Sequence, residues 1–267
     1  FVMDALMRSG ARAEADEFVC YLHKSMNKEG KPFPWMFAYD GKPTVEEGRD
    51  IAPLVMCAHA MTAIKHYFYF RDGAMLREHI LPIVERVADF GARVLFSKGE
   101  DGKYTLSVPV SNDVVEETAS EVNQTFTAVW FLSVLALCVR LQEIAGKESS
   151  PLLQEIVASY RLEKNEEEYL HSRGMTAEEC PWASWLPFLL YPTEGMPFVE
   201  KELFDKTRRK YTYPRLYMEK QGSYQPWTEF MEASSDFRRG ALEEGYALRK
   251  LGMEHCFGTG LFSEIGP

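Results

Sequence analysis

Carboxylates set beside apolar, aromatic or glycine-rich stretches are the first residues of this sequence whose type and spacing could do chemistry. Asp113 is followed by the adjacent pair Glu116-Glu117, just ahead of the most apolar stretch in the chain. On a loop feeding a buried helix, one carboxyl of such a pair can be desolvated and act as general acid while its neighbour binds substrate hydroxyls. The same acids would also favour the N-terminus of that helix through its dipole. A second carboxylate, Glu264, sits in Gly258-Thr-Gly260-Leu-Phe-Ser-Glu264-Ile-Gly266, where glycines let a short loop aim one side chain into a cleft. A third group runs from Trp227 through Glu229 and Glu232 to Asp236, with Ser234 or Ser235 readable instead as the N-cap of a following helix. Trp35, in Pro-Phe-Pro-Trp, offers a flat face on a rigid loop to a sugar ring.

Other chemistries lack their residues. The five Cys (Cys20, Cys57, Cys138, Cys180, Cys256) are odd in number and contain no C-x-x-C, which predicts reduced thiols in a cytoplasmic protein, with no disulfide framework and no metal site. His59 and His66 lie in an apolar helical pattern and read as core histidines. No H-E-x-x-H, G-x-S-x-G, P-loop or G-x-G-x-x-G is present, so no cofactor is implied. The 30 Lys and Arg against 40 Asp and Glu leave a net charge of −10, which argues against nucleic acid or an anionic membrane as partner. No apolar stretch reaches the ~18 residues that a spanning helix needs. Aromatic residues make up 13% of the 267, which suits a planar-faced ligand such as a carbohydrate.

The elements that must position these residues are helical. Helices are predicted over Ala11–Met26, Gly48–Phe70, Ala74–Phe96, Glu121–Ala145 with Gly146 as its C-cap, Leu152–His171 and Ser234–Leu251. Within Leu152–His171 the run Glu163–Glu168 reads as a solvated face. Lys103–Val108 reads as a short strand. About eight helices and no strand ladder give an all-α class. Long helices alternating with aromatic or acidic loops match a barrel of helical hairpins, and the helices in residues 1–267 predict a single helical domain, an incomplete barrel from a longer protein.

The residues also carry a resemblance. Gly30-Lys-Pro-Phe-Pro-Trp35, followed by Tyr67-Phe-Tyr-Phe-Arg-Asp72, resembles a passage of the inverting (α/α)6-barrel enzymes, which include glucoamylases and the maltose and kojibiose phosphorylases. Glu116-Glu117 followed by Thr125-Phe-Thr-Ala-Val is similar to the glucoamylase general-acid segment, although Val115 stands where glucoamylases carry Trp. Gly260-Leu-Phe-Ser-Glu264 is similar to the late general base of those hydrolases. The resemblance implies an (α/α)6 six-hairpin barrel and an inverting glycoside hydrolase acting on a carbohydrate substrate. Glu116 would be its acid and Glu264 its base. Trp35, Glu117, Trp227, Glu232 and Asp236 would bind sugar. An inverting disaccharide phosphorylase is the alternative, although no D-E-Y-H precedes the inner helix. Ser234, Ser235, Arg238 and Arg239 would be its phosphate cradle. A non-catalytic carbohydrate-binding barrel is a third reading, and a homo-oligomer is compatible with all three.

Overall fold

Apolar residues at Ala15, Val19 and Leu22 recur at helical spacing, and all three are buried on α2 (Arg12–Ser25), which follows the short α1 (Val2–Arg8). These elements belong to a computed structural model that describes residues 2–34, 53–107, 123–179, 185–212 and 227–254. Over these residues the chain is mostly helical, and the one sheet among them is two-stranded, so the class is all-α. The chain forms two compact units, residues 1–120 with 131–161, and residues 121–130 with 162–267.

In the first unit, α3 (Pro53–Phe70) packs on α1 and α2. His66 of α3 reaches Asp16 of α2, Nε2 to Oδ1 2.5 Å, and His59 packs edge-on against Phe33. His66 is thus the core histidine that its helical setting predicts, while His59 is only half-buried. Asp72 ends the turn after α3 and caps the next helix, its Oδ1 accepting from the Ala74 and Met75 N–H groups. From there the chain is helical to Leu95: α4 (Gly73–Met75), a π turn (Leu76–Ile80), α5 (Leu81–Phe90) and a second π turn (Gly91–Leu95). Pro82 lies in the first turn of α5 within this continuous helical run, so it removes one backbone donor, and the π closure of the Leu81 N–H on the Leu76 carbonyl falls immediately before it. At the second π turn Gly91 lies against Phe131, whose ring would be 2.7 Å from a Cβ there. Strands β1 (Phe96–Lys98) and β2 (Tyr104–Leu106) then pair antiparallel; β2 is the strand read from Lys103–Val108.

The long apolar helix α6 covers Thr125–Ile144. It starts four residues later than its periodicity predicts, because Asn123 adopts a positive φ of 59° and the Gln124 side chain, through Oε1, accepts the Thr127 N–H at 2.8 Å. It ends as the sequence predicts. Gly146 takes φ 72°, and the Lys147 N–H closes back on the Gln142 carbonyl at 2.9 Å. Contrary to the sequence expectation, this helix is long and apolar enough to cross a membrane by length and composition. Yet 78% of its most apolar window is buried inside the protein, as in a core helix.

Two further boundaries differ from the sequence reading. The helix predicted over Leu152–His171 stops after α7 (Pro151–Ser159). Tyr160 turns inward against Phe96, and Asn165 Oδ1 captures the Glu167 and Glu168 N–H groups, so local side-chain bonding replaces the helical ladder. Nor is the acidic run there all solvated: Glu168 is buried and bonded to Lys210 Nζ at 2.8 Å. The second unit contains α8 (Lys201–Lys210), α9 (Trp227–Arg239) and α10 (Leu242–Glu254). The single helix expected over Ser234–Leu251 is therefore two, broken at Gly240, whose φ of 87° suits only glycine well. Ser234 is not an N-cap; it lies inside α9 and donates to the Phe230 carbonyl at 2.7 Å. Gly245 and Gly252, seven residues apart on α10, let it close onto α9. A Cβ on Gly245 would stand 2.6 Å from the Phe237 ring.

Burial pushes the His59 imidazole down to about 4 from the usual 6.5. The folded chain therefore resists a proton that the unfolded chain accepts. Stability is full above pH ~6.5 and falls as pH drops through that value toward ~4, by up to roughly 3 kcal/mol. Urea titrations from pH 7.5 to 4.5 should show this loss, and His59→Leu should flatten it.

Candidate functional site

Of the residues singled out by sequence, Trp35, Glu116, Glu117 and Glu264 lie outside the described residues, as do Asp113 and Val115. Trp227 opens α9. Glu232 and Asp236 are described, and the fold brings them together.

Helix α9 places Thr228, Glu232, Ser235, Asp236 and Arg239 at three- and four-residue spacings, a polar stripe along one face. Thr228, Glu229, Glu232, Ser235 and Asp236 are all fully buried. A buried acidic stripe is stable only if paired. Its main counter-ion is Arg208, at the end of α8 and itself 5% exposed. The guanidinium grips Asp236 with two parallel bonds, Nε to Oδ1 3.1 Å and Nη2 to Oδ2 2.7 Å. Nη1 donates to the Tyr211 carbonyl at 2.8 Å and stands 2.6 Å from Glu232 Oε1, off the line of a good hydrogen bond. Arg239 adds a second clamp, Nε to Asp236 Oδ1 2.8 Å and Nη1 to Asp205 Oδ1 3.0 Å. Such bidentate, charge-assisted bonds fix geometry as well as energy.

Next to this network the last residues of α8 meet the acidic turn. Lys210 binds Glu168, and burial pushes the phenol of the adjacent Tyr211 up to about 12. On the far side of α9, Arg238 binds Glu194 with both terminal nitrogens, donates to the Leu190 carbonyl at 3.1 Å and covers the Tyr191 ring. It thereby pins the turn Leu189–Gly195, in which Glu194 has φ 58° and Thr193 Oγ1 donates to the Leu189 carbonyl at 2.6 Å. Gly195 is required there, since a Cβ would stand 2.0 Å from the Leu189 carbonyl oxygen.

The chemistry open to this arrangement is positional. The carboxylates of Asp236 and Glu232 face guanidinium groups, so they act as rigid supports for whatever the N-terminal end of α9 presents. Sequence reasoning missed Arg208, Asp205 and Glu194. A signal for Arg208 was present: Leu203, Phe204 and Thr207 form the buried face of α8, and Arg208 continues it, so a buried acid opposite was required. Among the described residues no group of three or more His, Cys, Asp or Glu is placed to hold a metal ion. Comparison with protein-family models and with curated proteins gives no match.

Proposed function

We propose that the chain is an inverting glycoside hydrolase with the (α/α)6 architecture, in which Glu116 protonates the leaving glycosidic oxygen and Glu264 activates water from the opposite face. The observation that carries this reading is an order along the chain. In the sequence each group of candidate residues precedes a described helix: Trp35 comes before α3, Glu116-Glu117 before α6, and the aromatic stretch ending in Pro226 before α9. That is the rhythm of a hairpin barrel whose functional loops feed successive inner helices. Inversion needs room for a water, so the two carboxyl groups are expected about 6.5–9.5 Å apart. Trp35, Glu117 and Trp227 would hold the sugar, with Glu232 and Asp236 supporting α9 through Arg208.

The commitments of Arg238 and Arg239 favour hydrolysis over phosphorolysis. A phosphate cradle built on α9 would use these two cations, and both are already bonded to carboxylates, Glu194 for one and Asp205 with Asp236 for the other. The test is a panel of glycosides incubated with and without inorganic phosphate, with the product anomer followed by NMR. Phosphate-independent release of the inverted sugar supports the hydrolase. An absolute requirement for phosphate makes the protein a phosphorylase, and sugar binding without turnover makes it a carbohydrate-binding scaffold.

A further inference from the structure

Two histidines far apart in sequence meet in the first unit with their Nδ1 atoms 3.0 Å apart. His23 lies in the last turn of α2, and His79 lies in the π turn Leu76–Ile80. Their rings are nearly perpendicular, at 78°, with centroids 5.2 Å apart, and both side chains are only half-buried. Two neutral imidazoles at this distance share one proton, since only one Nδ1 can donate to the other. The same spacing is a metal bite. With metal–nitrogen bonds of about 2.0–2.1 Å, two cis ligands of an octahedral or square-planar ion stand about 2.9 Å apart, and two tetrahedral ligands about 3.3 Å. The observed Nδ1 separation is close to the cis value, and with the centroids 5.2 Å apart the two rings face each other, so each must turn to converge its Nδ1 lone pair on the ion.

We propose that His23 and His79 form a two-nitrogen chelate for a borderline divalent cation of the nickel or copper class, with water completing its coordination. Imidazole nitrogen is a preferred ligand of these ions. Three cations near α2 are engaged elsewhere: Arg86 on the Asn27 and Gly30 carbonyls, Arg12 on Asp16 and Asp72, Lys65 on Asp4. The π turn supplies the position. Its wide i→i+5 closure, from the Leu81 N–H to the Leu76 carbonyl, sets His79 toward α2, and such turns recur at functional sites. On binding, the donor ring moves its proton from Nδ1 to Nε2. Both Nδ1 lone pairs then face the ion, and no net proton leaves the pair. The bound ion ties α2 to the helical segment Gly73–Leu95. This site is independent of the glycosidase reading.

Calorimetric titration of the full chain with nickel chloride at pH 7.5 tests it. One ion per chain is expected, with affinity reduced at least tenfold in His23→Asn and in His79→Asn and unchanged in Cys20→Ser, which removes the thiol one turn earlier on α2. Nickel should also raise Tm by a few degrees in the parent and not in the histidine variants. Should either histidine variant misfold, carbonate-ester (diethylpyrocarbonate) modification of the parent decides instead: nickel must protect His23 and His79. Affinity held within threefold in both histidine variants, loss of binding in Cys20→Ser, absence of binding at millimolar nickel, or unprotected histidines would each overturn the proposal.

Discussion

Glu116→Gln is expected to lower turnover of glycosides with poor leaving groups by about 10²–10⁴-fold while leaving the helical fold intact, because that is the range a positioned general acid contributes. The substitution keeps the size of the side chain and removes the proton it would donate. A substrate whose leaving group departs without protonation, such as an activated aryl glycoside or a glycosyl fluoride, should lose far less. The contrast between the two substrate classes is the decisive readout. Loss of equal size on both would assign Glu116 to binding, and a rate within a few-fold of the parent would mean that another residue donates the proton. Glu264→Gln should behave oppositely, losing activity on both classes, since a base that activates water is needed whatever the leaving group.

Arg208→Met is expected to be the most destabilising single change in the second unit, at about 3–5 kcal/mol, a large part of the roughly 5–15 kcal/mol that holds a domain. The reason is what it leaves behind. Glu232 and Asp236 are fully buried, and the Arg208 guanidinium supplies two of the nitrogens that grip Asp236 and one that stands 2.6 Å from Glu232. Arg239 would remain on Asp236 but reaches it through Nε alone. Arg208→Lys should recover only part of the loss, because one ammonium cannot bond Asp236 with two parallel N–H groups and still reach the Tyr211 carbonyl. The triple change Arg208→Met, Glu232→Leu, Asp236→Leu should cost less than Arg208→Met alone, since it removes the charges together with their partner. Urea denaturation at neutral pH measures all three. A loss below ~1 kcal/mol for Arg208→Met would show that the cluster does not hold α8 to α9.

Much of the helical framework could be read directly from neighbouring residues. The Ala15, Val19, Leu22 stripe marks α2, Gly146 marks the end of α6, and the setting of His66 marks it as a core residue. Each of these features is set within a turn or two of chain, where periodicity, caps and a glycine's positive φ act. The candidate catalytic residues Glu116 and Glu264 are likewise readings of local motif.

The errors arose where a local pattern was ambiguous and packing decided. Asn165 and Tyr160 ended α7 by bonding and burying themselves, although the residues beyond them are compatible with a helix. Gly240 divided α9 from α10, and only then could Gly245 and Gly252 close the second helix on the first. Pairing of buried charge was hidden altogether. Arg208 finds Asp236 28 residues away, Arg238 finds Glu194 at 44, and His23 finds His79 at 56. By itself, then, the sequence determined that the chain is helical, where several helices stop, and which residue types are available for chemistry, because those depend on near neighbours. Which buried acid faces which guanidinium, and which two imidazoles share a proton, was decided only by tertiary structure. A charge removed from water takes whatever partner the packed helix faces bring within about 3 Å, and no local spacing encodes that meeting.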